Sequence, residues 1–207
     1  MLFDASTKAS EVRLIGDSGG TILRALDGAR LLTMLPGAPP VTLHGLTLHG
    51  QLAVNAGWLK IEGCALQDCQ SSSDGGALMM TGGSVHARST TFARNTAVGN
   101  GGAISIDGGG DALLHDCLVK GNVAGDDGGG IHVRNGLVVL SAGTMLKGNF
   151  AANRGDSIFV LGGQVDYKLP CPLGHYINAA PGADSTRLLG ATDNPSRLRS
   201  WPVWRHV

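Results

Sequence analysis

Gly16-Asp17-Ser18-Gly19-Gly20 sets a serine among glycines beside an aspartate, a pattern that suits a nucleophile held on a sharp turn. Serine catalysis also needs a histidine base and an acid to orient it. Too few residues precede the motif to supply them, and no helical pattern follows Gly20, so the segment reads as a turn between two strands. Cys64, Cys69, Cys117 and Cys171 form no Cys-x-x-Cys pair, which leaves a structural zinc site unsupported. His44 and His49 are an odd number of positions apart, so a straight strand would place them on opposite faces and deny them a shared metal. Asp107, Asp111, Asp116, Asp126 and Asp127 lie close together in sequence, with Arg88, His115 and Arg134 nearby. Paired carboxylates among these would suit sugar chemistry, and Asp126-Asp127 is the one weak calcium candidate. Most of these aspartates flank glycine runs, where aspartate ordinarily serves the turn itself.

The elements that would position such groups follow from composition. The chain has 207 residues, one domain's worth, with 33 glycines. Sixteen basic residues balance sixteen acidic ones, so no net field draws the chain to nucleic acid or anionic lipid. Only Glu11 and Glu62 are glutamates and lysines are few, which argues against helices. Hydrophobic residues make up 43% and aromatics 4%, so a core must come from Ala, Val, Leu and Ile. No apolar run reaches the ~18 residues of a membrane span, and Met1-Leu-Phe-Asp lacks the features of a signal peptide.

The glycines recur with a period. Gly75-Gly76-Ala77-Leu78 returns as Gly101-Gly102-Ala103-Ile104, as Gly128-Gly129-Gly130-Ile131, and in degraded form as Gly155-Asp156-Ser157-Ile158, at spacings of 26, 27 and 27. Phe92-Ala-Arg-Asn95 keeps the same phase as Val119-Lys-Gly-Asn122 and Leu146-Lys-Gly-Asn149, with Leu66-Gln-Asp-Cys69 as a weaker first copy. After each glycine pair comes a short alternating strand in which 78/80, 104/106, 131/133 and 158/160 face one side. A second strand follows (Ser84 to Thr91, Ala112 to Leu118, Leu137 to Leu140), then a loop of Asn, Gly and Ala back to the next pair. Two or three short strands cannot bury a core alone, whereas stacked copies can. The expected fold is therefore all-β, a right-handed parallel β-helix with one repeat per coil and like residues stacked about 4.8 Å apart.

On that fold Asn95, Asn122 and Asn149 form a ladder of stacked amides, headed by Cys69. Gly75, Gly76, Gly101, Gly102, Gly128, Gly129 and Gly155 are expected at coil turns, where glycine reaches positive φ without strain. Cys64, Thr90 and Cys117 share a phase, which puts the two cysteines two coils apart, beyond disulfide reach.

Gly-Gly-Ala-Ile together with Phe-x-x-Asn resembles the repeat pair of the chlamydial polymorphic outer membrane proteins, β-helix passengers of autotransporter type. The resemblance covers about residues 60–165. It implies a rod that displays a surface at or outside the cell, and no catalytic residues. Pro40 to Gly50 is similar to the strand that opens such domains, and Tyr167 to Tyr176 to a closing segment; no membrane β-barrel follows in this chain.

The expected organisation is irregular N-terminal coils over 1–57, regular coils over 58–168, and a cap and tail over 169–207. Tyr167, Leu169, Leu173, Tyr176 and Ile177 would supply the apolar contacts of a cap over 169–178, while Trp201 and Trp204, beside Arg199 and Arg205, are the residue types that anchor a partner. The sequence reading is a structural or adhesive scaffold, part of a larger surface protein or assembly, with no cofactor and a protein or glycan surface as partner. The alternative is a polysaccharide-active β-helix enzyme, by analogy with pectate lyases and polygalacturonases.

Overall fold

The computed structural model describes residues 1–167 apart from 7, 27, 28 and 142. The alternation in each repeat becomes an inside and an outside. Leu78, Met80, Ile104, Ile106, Ile131 and Val133 are fully enclosed, and they join the inward residues of other strands in one continuous core. Every paired strand is parallel to its neighbours, no helix occurs among the described residues, and the coils stack into a solenoid of about 6 turns.

Among the described residues four sheets run along the rod. Sheet A stacks Leu2–Phe3, Arg30–Met34, Gln51–Val54, Leu78–Met80, Ile104–Asp107, Ile131–Arg134 and Ile158–Leu161. Sheet B stacks Val12–Ile15, Val41–His44, Trp58–Glu62, Ser84–Arg88, Asp111–His115, Leu137–Ser141 and Gln164–Tyr167. Sheet C runs from Thr21–Arg24 through Leu46–His49, Ala65–Gln67, Thr91–Ala93 and Leu118–Lys120 to Met145–Lys147. Sheet D has only two-residue strands, Gln70–Ser71, Thr96–Ala97, Val123–Ala124 and Phe150–Ala151. The register keeps the sequence phase: Leu78 pairs with Ile104, Ile104 with Ile131, and Ile131 with Ile158. Leu66, Phe92, Val119 and Leu146 likewise stand in one column.

Three expectations need correction. What reads as a second strand is split in two. Ser89 (φ 46) and Asp116 (φ 55) take the left-handed conformation and turn the chain from sheet B into sheet C. The return loop also contains the strands of sheet D, hidden because each is two residues long with one small inward residue, such as Ala97 or Ala124. Pro40 to Gly50 is likewise two strands, bent at Gly45 (φ 65), so His44 and His49 lie on the outside of different sheets rather than on one straight strand.

The N-terminal coils are irregular in length. Leu2 pairs with Thr33, 31 positions on, and Thr33 with Ala53, only 20 positions on. The second of these coils is short because the chain passes from sheet C directly to sheet A through Gly50, with no strand of sheet D.

Candidate functional site

The asparagines sit where the chain turns from sheet C into sheet D, each directly after a left-handed residue: Arg94 (φ 54), Gly121 (φ 62) and Gly148 (φ 60). A turn there interrupts the backbone ladder, and the side-chain amide completes it. Asn122 Oδ1 accepts from the backbone N–H of Asn95 at 2.9 Å and from its Nδ2 at 3.0 Å. Asn122 Nδ2 donates to Phe92 O at 3.1 Å and to Asn149 Oδ1 at 2.9 Å. Asn95 repeats the arrangement one coil earlier, accepting from Cys69 N–H at 3.0 Å and donating to Leu66 O at 3.1 Å. Asn95 and Asn122 have no exposed surface at all. Such buried amides are tolerated because their bonding capacity is met.

The glycine pairs divide the work between their two members. Gly75, Gly101, Gly128 and Gly155 have φ between 65 and 70, where other residues are strained. Gly76, Gly102 and Gly129 do not have positive φ, so turn conformation is not why they are glycine. A Cβ on Gly102 would instead lie 2.6 Å from Val123 C and 2.7 Å from Val123 N, inside the backbone of the next coil.

The turn carrying each pair also folds back over the outer side of sheet A. Ser105 and Phe159 point away from the core, yet no more than 1% of either is exposed, and His132 is 5% exposed. A Cβ on Gly101 would lie 2.9 Å from Ser105 Cβ, and one on Gly155 2.7 Å from Phe159 Cβ. Just before the pairs runs a second polar column that sequence reading missed, because its residue types differ. Asp74 Oδ1 accepts from Asn100 N–H, at 2.6 Å, and from Asn100 Nδ2, Asn100 Oδ1 accepts from Asp127 N–H, and Asp127 is bridged by Nε and Nη2 of Arg154 at 3.1 and 2.7 Å. The shared phase of 74, 100, 127 and 154 was the available signal.

The groups that invited chemical readings are spread around the rod. Asp17 Oδ1 accepts from Gly19 N–H and Thr21 Oγ1, closing the turn that holds Ser18. Asp107 is held by Arg134 of the next coil, and Asp68 by Arg94 at 2.8 and 2.9 Å. The neighbouring guanidinium holds each of these carboxyls below its ordinary range. Asp116 accepts from Ser89 Oγ at the bend between sheets B and C, and His115 bonds to Ser141. Asp126 faces Asn153 while Asp127 faces Arg154, so the two carboxylates do not converge on one cation. No cluster of three metal-ligating side chains occurs among the described residues. A shallow depression of about 430 Å³ lies at the turns from sheet A to sheet B, lined largely by Gly109, Gly136, Gly162 and Gly163. Among the described residues that line it, Asp111 is the only carboxylate, one short of the pair that glycoside hydrolysis uses.

Cys64, Cys69 and Cys117 are free thiols in the core. Cys64, Thr90 and Cys117 stack at the bend between sheets B and C, and Thr90 Oγ1 donates to Arg88 O at 2.8 Å. Burial pushes the Cys69 and Cys117 thiols up to about 11 and raises Cys64 as well. A thiol reagent applied to the native protein at about pH 8 is therefore expected to leave all three unmodified until denaturant is added. Rapid native labelling of Cys117, identified by peptide mass, would contradict this packing.

Sheet B keeps an open outer face, built on strands of four or five residues. Trp58 meets His86 edge-on at a centroid distance of 5.5 Å, beside Lys60, which pairs with Glu62 at 2.8 Å. Arg88, Leu113, Val139 and His115 continue the face along the rod. Cys171, Trp201, Trp204, Arg199, Arg205 and the expected cap at 169–178 lie outside the described residues.

Fold and columns together define a parallel β-helix repeat protein. The family model for the Chlamydia polymorphic membrane protein repeat matches residues 89–107, which hold one Phe-x-x-Asn and one Gly-Gly-Ala-Ile motif. The chain thus carries that repeat. No curated protein and no solved structure matches the chain. Among the described residues no helix is long and apolar enough to cross a membrane.

Proposed function

We propose that this chain is a non-catalytic display rod, structural or adhesive, that offers the outer face of sheet B to a protein or glycan surface. The observation that carries the reading is the fate of the polar groups. Most of the tempting aspartates are engaged in bonds between coils, whereas Trp58, His86, Arg88, Leu113 and Val139 stand on an open, regular face. Outward side chains on successive coils stand about 4.8 Å apart, and their positions are set by the backbone ladder rather than by flexible loops. Such an array suits recognition of an extended surface by many weak contacts. The repeat match supports the same reading, since it points to surface-type repeat proteins.

The test pairs binding with turnover. The full chain is expected to bind intact cells or an immobilised glycan panel, and Trp58→Ala with Arg88→Ala to weaken that binding while leaving the melting temperature close to the parent's. A polyuronate and polysaccharide depolymerisation screen with added calcium is expected to release no new chain ends. Release that depends on Asp111 would overturn the display reading in favour of a polysaccharide-active enzyme.

A further inference from the structure

His132 occupies an unusual place in the rod. It lies on the outer side of sheet A, paired in register with Ser105 and Phe159. Its ring stacks on Phe159 at 5.7 Å and 11°, and the Arg154 guanidinium sits 4.4 Å above that same phenyl ring. Neither His132 Nδ1 nor Ser105 Oγ has a hydrogen-bond partner among the described residues, although both are buried. The charged groups around the imidazole are Asp74 and Asp127 from the overlying turns, and Asp107 and Arg134 from the strand ends of sheet A. Asp127 and Asp107 are already engaged by Arg154 and Arg134.

The turn at 152–157 is held over this stack by hydrogen bonds to the preceding coil, among them Ile131 N–H to Ser157 O at 2.9 Å. Arg154 binds Asp127, and the carbonyls of Arg154, Gly155 and Asp156 accept from the N–H groups of Gly128, Gly129 and Gly130 at 2.8 to 3.0 Å. Ala152 and Asn153 N–H groups donate to Ala124 O and Asp126 O.

We infer that turn 152–157 is a latch over the outer side of sheet A that acid releases, with His132 as its trigger. A protonated ring at this position gains a second N–H that has no acceptor, and it competes with Arg154 for Asp127, the contact that seats the turn. Burial holds the imidazole below its ordinary range, so the seated state binds fewer protons than the open one. The latch is therefore fully seated above the ordinary histidine value and weakens as pH falls below it. Release would uncover Phe159 and the stack beneath it.

Amide hydrogen exchange on the full chain tests this, with rates corrected for intrinsic pH dependence, at about pH 7.5 and about pH 5. Protection of Gly128, Gly129, Gly130, Ala152 and Asn153 is expected to fall by up to about tenfold per pH unit, while Ala77, two coils away, is unchanged. His132→Phe keeps an aromatic ring on Phe159 and cannot be protonated, so its protection is expected to be flat with pH. Should that variant fail to fold, the wild-type His132 ring signal is followed by NMR, and protection is expected to fall between the ordinary histidine value and the lower midpoint of that ring, and to level off below it. Acid loosening that persists in His132→Phe, loosening that continues below the His132 ring midpoint, or protection that does not change with pH would each overturn the inference.

Discussion

Gly129→Val is expected to prevent the rod from forming intact, with a loss of more than about 4 kcal/mol, the range reserved for severe overpacking. The reason is contact with backbone. A Cβ on Gly129 would overlap Phe150 C, Phe150 O and Asp156 O of the next coil, atoms that no side-chain rotation can move away. In a solenoid each coil supports its neighbours, so damage at this interface separates the last coils from the rest. Gly148→Ala is the matched control. Gly148 has φ 60, but a Cβ there would meet nothing within 4 Å, so only the conformational cost of about 1 kcal/mol applies. Urea unfolding followed by circular dichroism measures both. Similar melting behaviour of Gly129→Val and Gly148→Ala would show that the coils are not packed as closely as described.

Asn122→Ala is expected to cost about 3 kcal/mol, roughly 1 kcal/mol more than Asn149→Ala. The Asn122 side chain makes four hydrogen bonds, accepting twice from Asn95 and donating to Phe92 O and Asn149 Oδ1. Asn149 makes three, accepting from Asn122 N–H and Nδ2 and donating to Val119 O. Truncating Asn122 strands the Asn95 N–H inside the rod, where Asn122 itself has no exposed surface; Asn149 is 8% exposed. Both variants should be compared by the same denaturant titration. Equal losses would indicate that the amides are isolated caps and not a coupled column.

Stacking makes residues of equal phase into neighbours, and for that reason the period of 26 and 27, the register of Ile104 on Leu78, and the columns of glycine and asparagine were all legible in the amino-acid sequence. Inward alternation was legible too, because a strand has only two sides. Tertiary structure decided the rest. Ser89 and Asp116 turn the chain in the left-handed region although neither is glycine, and Ser89 bonds the next coil through its N–H to His115 O and its Oγ to Asp116. Sheet D depends on pairing between coils, and a two-residue strand leaves no periodic trace. The column from Asp74 to Arg154 was hidden by its mixed residue types, which only the hydrogen bonds unite. Alternation places His132 and Phe159 on the outside of sheet A, and it is the folded-back turn, a contact between segments, that buries them.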